Sequence, residues 1–118
     1  MDFQNVECNL TTIRGDTLQF AFEIENFTDN LASAFFSVKK DVTDENYVFQ
    51  KSLNDGISLI DTGKWKVKID PTDTEYVPTG TFYYDLQIGV NNGNAVDIYT
   101  ILKGKLNITY DITRAVEQ

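Results

Sequence analysis

The chain has 118 residues, 42% of them hydrophobic and 13% aromatic, with 18 acidic against 10 basic side chains and a net charge of -8. That length and apolar content suit one folded domain with a real core and exclude a disordered chain. The acidic balance repels nucleic acid and anionic membranes, and the absence of histidine removes the commonest neutral-pH base and metal ligand.

Val6 to Ile13 is the first predicted strand, with Val6, Cys8 and Leu10 on one face. Cys8 is the only cysteine, so no intramolecular disulfide forms, and a buried, inert thiol is expected there. No basic-then-apolar leader opens the sequence, and no apolar run reaches membrane-spanning length. Arg14-Gly15-Asp16-Thr17 reads as a tight connection. The triplet Arg14-Gly15-Asp16 also spells an integrin-ligand sequence, which acts only on an exposed, flexible extracellular loop. Between two strand patterns, the turn reading prevails.

Thr17 to Glu25 is the second strand, with Leu18, Phe20, Phe22 and Ile24 inward. The polar stretch 26–30 follows, with Phe27 folded back over a sheet end. Ala32 to Lys39 points Ala32, Ala34, Phe36 and Val38 inward and leaves Phe35 on the outer face. Lys40 to Asn46 is a charged loop whose acidic residues lack the spacing of a calcium loop. Tyr47 to Ser52 is a short strand of unassigned face, Asn54-Asp55-Gly56 a turn, and Ile57 to Ile60 another short strand. After Asp61-Thr62-Gly63, Trp65, Val67 and Ile69 alternate with Lys64, Lys66 and Lys68, which predicts a hairpin. Residues 70–78 are a crossover containing at most one helical turn, begun at Asp70-Pro71.

The cleanest long strand follows the turn Pro78-Thr79-Gly80. Phe82, Tyr84, Leu86, Ile88 and Val90 share one face, and Tyr83, Asp85 and Gln87 the other. It is predicted to be the central strand. Asn91-Asn92-Gly93-Asn94 is a hairpin turn. The chain returns through Ala95 to Tyr110, where Gly104 marks a bulge or bend that keeps Leu106, Ile108 and Tyr110 on the core side. Residues 111–118 read as a flexible tail.

Roughly seven or eight short strands without a long helix predict an all-β fold: an immunoglobulin-like antiparallel β-sandwich spanning residues 1–118, with an eight-stranded barrel as the alternative. The residue types assemble no catalytic triad and no thiol or imidazole metal site. A carboxylate pair, Asp85 with Asp97 across the Asn-Gly hairpin, is the one arrangement weighed for hydrolysis, and solvated carboxylates are the preferred reading. The expectation is therefore no enzyme, no cofactor and no metal. Phe35, Tyr83 and Tyr99, read as exposed aromatics, are the candidate interface residues.

Three segments in order carry a resemblance: Ile13-Arg14-Gly15-Asp16-Thr17 ahead of an aromatic strand, Pro78-Thr79-Gly80-Thr81-Phe82-Tyr83-Tyr84-Asp85-Leu86, and Gly104-Lys105-Leu106-Asn107-Ile108-Thr109-Tyr110-Asp111-Ile112-Thr113-Arg114. Together they resemble tail-associated structural proteins of bacteriophages and prophages. They are similar in particular to the N-terminal domain of upper baseplate proteins of phages infecting Gram-positive bacteria, with Val77 standing where leucine is usual. The resemblance implies a non-catalytic structural module of a phage tail or baseplate that works by protein–protein packing. Its partners would be other phage structural proteins, with possible homo-oligomerisation and no nucleic acid or membrane. Its location would be the bacterial cytoplasm during assembly, then the virion tail. Such relatives continue into a helical or fibre region, so a docking or spacer role, or a domain-sized piece, is expected of a chain stopping at Gln118. A carbohydrate-binding or adhesion module, motivated by Trp65 and the tyrosines, is the alternative.

Overall fold

A computed structural model describes residues 6–112. Its elements are β1 (Val6–Glu7), β2 (Leu10–Ile13), β3 (Leu18–Glu23), β4 (Ser33–Lys39), β5 (Phe49–Leu53), β6 (Gly56–Asp61), β7 (Lys64–Ile69), α1 (Pro71–Thr74), β8 (Gly80–Asn92) and β9 (Ala95–Thr109). The alternation read between residues 80 and 90 is the strand on which the rest is built. β8 pairs antiparallel with β4 on one side and β9 on the other, and Phe82, Tyr84, Leu86 and Ile88 are all buried.

The hydrogen-bonded order is β1-β9-β8-β4-β5-β6-β7-β3, with β2 also on β9. Only Ser52↔Gly56 and Leu53↔Ile57 join β5 to β6. The sheet folds over at that weak link, so that β9-β8-β4-β5 faces β6-β7-β3 across one core. These layer memberships are those of an immunoglobulin-like sandwich. Among the described residues β1 and β3 end the order without meeting, so the barrel alternative does not hold.

The two layers meet through rings. Phe20 packs edge-on against Phe36 at 5.6 Å between centroids, and Phe36 lies 5.2 Å from Tyr84. In antibody domains a disulfide joins the strands corresponding to β3 and β8. With one cysteine this chain cannot form that bridge, and an aromatic trio links β3, β4 and β8 across the core. Trp65, from β7, plugs the other end of the core, stacked on Phe22 at 5.6 Å and capped by the buried Phe27. Gly63 fits this arrangement because a side chain there would collide with the Phe27 carbonyl, and its φ is 73°.

Several sequence expectations require correction. The first strand is two short pieces, and both run parallel to β9, so the sandwich is not wholly antiparallel. The chain breaks its ladder at Cys8 and Asn9, which leaves Cys8 exposed, not buried. Gly104 is not the bulge. The register shift lies farther back, opposite Leu86 and Gln87, and Gly104 instead leaves room for the Cys8 carbonyl to press against β9. Leu106 and Ile108 are buried as expected, whereas Tyr110, past the end of β9, is 75% exposed.

α1 is the single turn anticipated after Asp70. It locks two distant parts of the chain: the fully buried Thr74 hydroxyl accepts from the Gly15 N–H at 2.8 Å, and Asp73 takes the Lys51 ammonium at 2.6 Å. Lys51 lies on the inner face of β5, opposite Phe36, and also reaches Asp70 at 3.5 Å. Burial alone would lower its pKa; the hydrogen bond and charge of Asp73, with help from Asp70, outweigh that and raise it. Of the stretch read as a tail, Asp111 is held by Arg14 at 3.0 Å, and residues 113–118 lie outside the described residues.

Candidate functional site

Strand parity decides which side chains reach the open face of the β9-β8-β4-β5 layer. Because Phe36, Leu86 and their neighbours point inward, Phe35, Ser37 and Lys39 of β4 point outward beside Gln87, Asp85 and Tyr83 of β8. The register sets Phe35 against Gln87, Ser37 against Asp85 and Lys39 against Tyr83. These residues, with Gln50, Tyr47 and Val42, enclose a shallow groove of about 390 Å³.

Asp85 and Ser37 form its floor. Gln50 donates to the Ser37 hydroxyl at 2.9 Å, which fixes one wall. Lys39 is drawn away to the rim, where its ammonium donates to the Asp44 carbonyl at 2.7 Å and lies 5.3 Å from the Tyr47 ring centroid. Among the described residues Asp85 has no ion pair within 4.0 Å. Burial pushes its carboxyl pKa up, and the charge of Lys39 offsets only part of this. The groove thus has aromatic walls and an under-compensated carboxylate at its base. Lys103 stands opposite Asp85 on β9 and Lys39 lies farther along β4, yet neither closes an ion pair with it.

A second hollow, of about 540 Å³, adjoins the first along β9, lined by Glu7, Asn9, Lys103 and Lys105. Val42, Tyr83 and Tyr84 border both.

Of the three interface candidates, Phe35 and Tyr83 share this outer face, and Phe35 is 37% exposed. Tyr99 does not join them. The register shift opposite Leu86 and Gln87 carries an extra residue on β9, so Tyr99 pairs with Ile88 and packs partly against the core. The shift brings Val96 and Ile98 to the outer face instead, where they flank Gly89.

The carboxylate pair weighed for hydrolysis is not assembled. Asp85 pairs with Lys103 and Asp97 with Val90, at different heights and on opposite faces of β8–β9. Asp97 accepts instead from the Asn92 amide at 2.9 Å. Among the described residues no three histidine, cysteine, aspartate or glutamate side chains converge. Arg14 of the Arg-Gly-Asp triplet is tied to Asp111 and lies over the Tyr110 ring, so the triplet is part of a fixed turn. No helix among the described residues is long and apolar enough to cross a membrane.

No protein-family model and no curated protein matches the sequence. Among solved structures the chain is similar to the extracellular domains of the voltage-gated sodium channel β4 subunit, described as parallel homodimers with a role in cell–cell adhesion. That similarity has a TM-score of 0.40 and 8% identity, over 95% of this chain and 99% of that one. It is similar also to the NK cell receptor NKp44, a triggering partner in natural cytotoxicity, with a TM-score of 0.43 and 13% identity over 92% and 100% of the two chains.

Proposed function

We propose that this chain is a non-catalytic protein-binding module whose docking face is the outer surface of β5, β4 and β8, and that its partner inserts a lysine or arginine side chain over Asp85. The observation that carries this reading is the half-buried Asp85 carboxylate, without an ion pair among the described residues, at the base of a groove walled by Phe35, Tyr47 and Tyr83. Aromatic walls give a cation both apolar cover for its stem and a π-face for its charge. The net charge of -8 favours encounter with a basic partner. The resemblance to phage tail and baseplate proteins makes other virion parts the first partners to try.

A second reading, as a carbohydrate-binding or adhesion module, draws on the Tyr47 and Tyr83 rings beside Ser37, Gln50 and Gln87. Trp65, which motivated it in the sequence, is 2% exposed and unavailable to a sugar.

The test is selection from a ribosome-displayed library of random peptides, with Asp85→Asn protein as the counter-selection target. Enriched peptides carrying a required lysine or arginine beside an apolar residue are the expected result. Enrichment without a basic residue, or equal binding to the variant, overturns the reading. Binding on a glycan array that survives Asp85→Asn would favour the second.

A further inference from the structure

β3 closes the sheet order, and among the described residues nothing pairs with its outer edge. The other terminal position is protected by being broken: β1 and β2 are two and four residues long and interrupted at Cys8 and Asn9. β3 is different. It runs six residues with no shift in its register to β7, and it carries neither proline nor lysine. Edges of that length usually bear such protection.

Two further features bear on what covers it. The inward-facing residues Leu18, Phe20 and Phe22 are only half-buried, whereas Trp65, Val67 and Ile69, next to them on β7, are at most 2% exposed. The Ile24 N–H donates to the Gly63 carbonyl, so by alternation residues 18, 20 and 22 bond β7 while Gln19, Ala21 and Glu23 turn their N–H and C=O groups outward.

We propose that the free edge of β3 pairs antiparallel with β3 of a second copy of this chain, about a two-fold axis through Ala21. That register sets Ala21 opposite the second copy's Ala21, and Gln19 opposite its Glu23 on each side. All three outward-facing residues then occupy hydrogen-bonded positions. No like charges oppose one another, since Glu23 meets a glutamine. On the inner side Phe20 comes opposite the second copy's Phe22, which covers the rings that one copy leaves half-exposed. Two sheets become one continuous sheet. This interface is separate from the groove around Asp85 and does not depend on it.

Disulfide trapping tests both pairing and register in the full chain with Cys8→Ser. Opposed Ala21 residues lie about 5.5 Å apart at Cα, inside the roughly 4.4–6.8 Å that a disulfide spans. Two Gln19 residues would lie about 14 Å apart. Mild oxidation of Ala21→Cys should therefore give a covalent dimer that Gln19→Cys fails to give. Sedimentation over about two decades of concentration should show reversible dimerisation, abolished by Ala21→Lys, which sets two ammonium groups face to face. Circular dichroism checks that the lysine variant stays folded. A protein that stays monomeric throughout, a dimer indifferent to Ala21→Lys, or equal cross-linking at positions 19 and 21 overturns the proposal.

Discussion

The Tyr84 hydroxyl donates to the Cys8 carbonyl at 2.5 Å, directly over the space left by Gly104. Tyr84 and Gly104 are cross-strand partners in β8 and β9, and the carbonyl enters from the break between β1 and β2. One contact thus joins the central strand, the last strand and the first. It also explains why the edge strand is broken where it is: the turned carbonyl cannot stay in the ladder and also meet the phenol.

Removing the hydroxyl tests this junction. Tyr84→Phe leaves the core ring in place and strands the Cys8 carbonyl. A loss of about 1–2 kcal/mol is expected in chemical denaturation, since a net hydrogen bond contributes about 1 kcal/mol and an orphaned acceptor costs more. The phenol's pKa is pushed up to about 12, chiefly by burial and then by the Cys8 contact. A group with a raised folded pKa stabilises the fold fully below its unfolded pKa and loses that contribution as pH rises through the folded value. Wild-type stability should therefore fall between about pH 10 and 12 more steeply than that of Tyr84→Phe.

Gly104→Ala attacks the same junction from the other strand. Its added methyl would overlap the Cys8 carbonyl, so either that carbonyl leaves Tyr84 or β9 shifts. The expected cost is about 2–3 kcal/mol, in the range of overpacking plus a lost hydrogen bond. Hydrogen exchange should show faster opening at residues 6–13 than in β4 or β8.

Lys51→Met removes the cation that Asp73 and Asp70 share and leaves Asp73 poorly solvated, with a side chain 18% exposed. Breaking a mostly buried pair from one side costs about 3–5 kcal/mol, and the partial exposure here lowers the expectation to about 2–3 kcal/mol. Because the folded pKa of Lys51 is raised, its contribution is present below the ordinary lysine range and disappears as pH climbs through the folded value. The variant should lack that part of the alkaline loss.

How much of this was legible in the sequence depends on how local each feature is. Phe82 to Ile88 and Trp65 to Ile69 declare themselves by a period of two, and both strands are where that period puts them. The partner of the first strand does not declare itself. Leu10 pairs with Leu106, and no local pattern chooses β9 over β3. Tyr99 changes face because one residue bulges between it and Leu102, a shift that alternation cannot register. Lys51 sits in a short strand whose face no local alternation assigns, and only the fold of Asp70 and Asp73 over it shows which way it points. The groove was half visible: Phe35 and Tyr83 stand out as aromatics on outer faces, but whether Asp85 gains an ion pair depends on where the Lys39 and Lys103 side chains go.

Asp85→Asn separates function from stability. The raised folded pKa of this carboxyl means that its charged form is disfavoured in the native state, so stability falls as pH rises through the folded pKa. The amide removes that burden. A melting temperature at neutral pH equal to or slightly above wild type is expected, together with loss of binding to basic peptides.

The most direct test of the proposed binding face is an amide-resolved NMR titration of the isotopically labelled protein with arginine amide. Shifts confined to β4, β5 and β8 around Ser37, Tyr83 and Asp85, saturating with ligand and absent in Asp85→Asn, are the predicted result. Shifts centred on β3, β6 and β7, or an unchanged response in the variant, would contradict it.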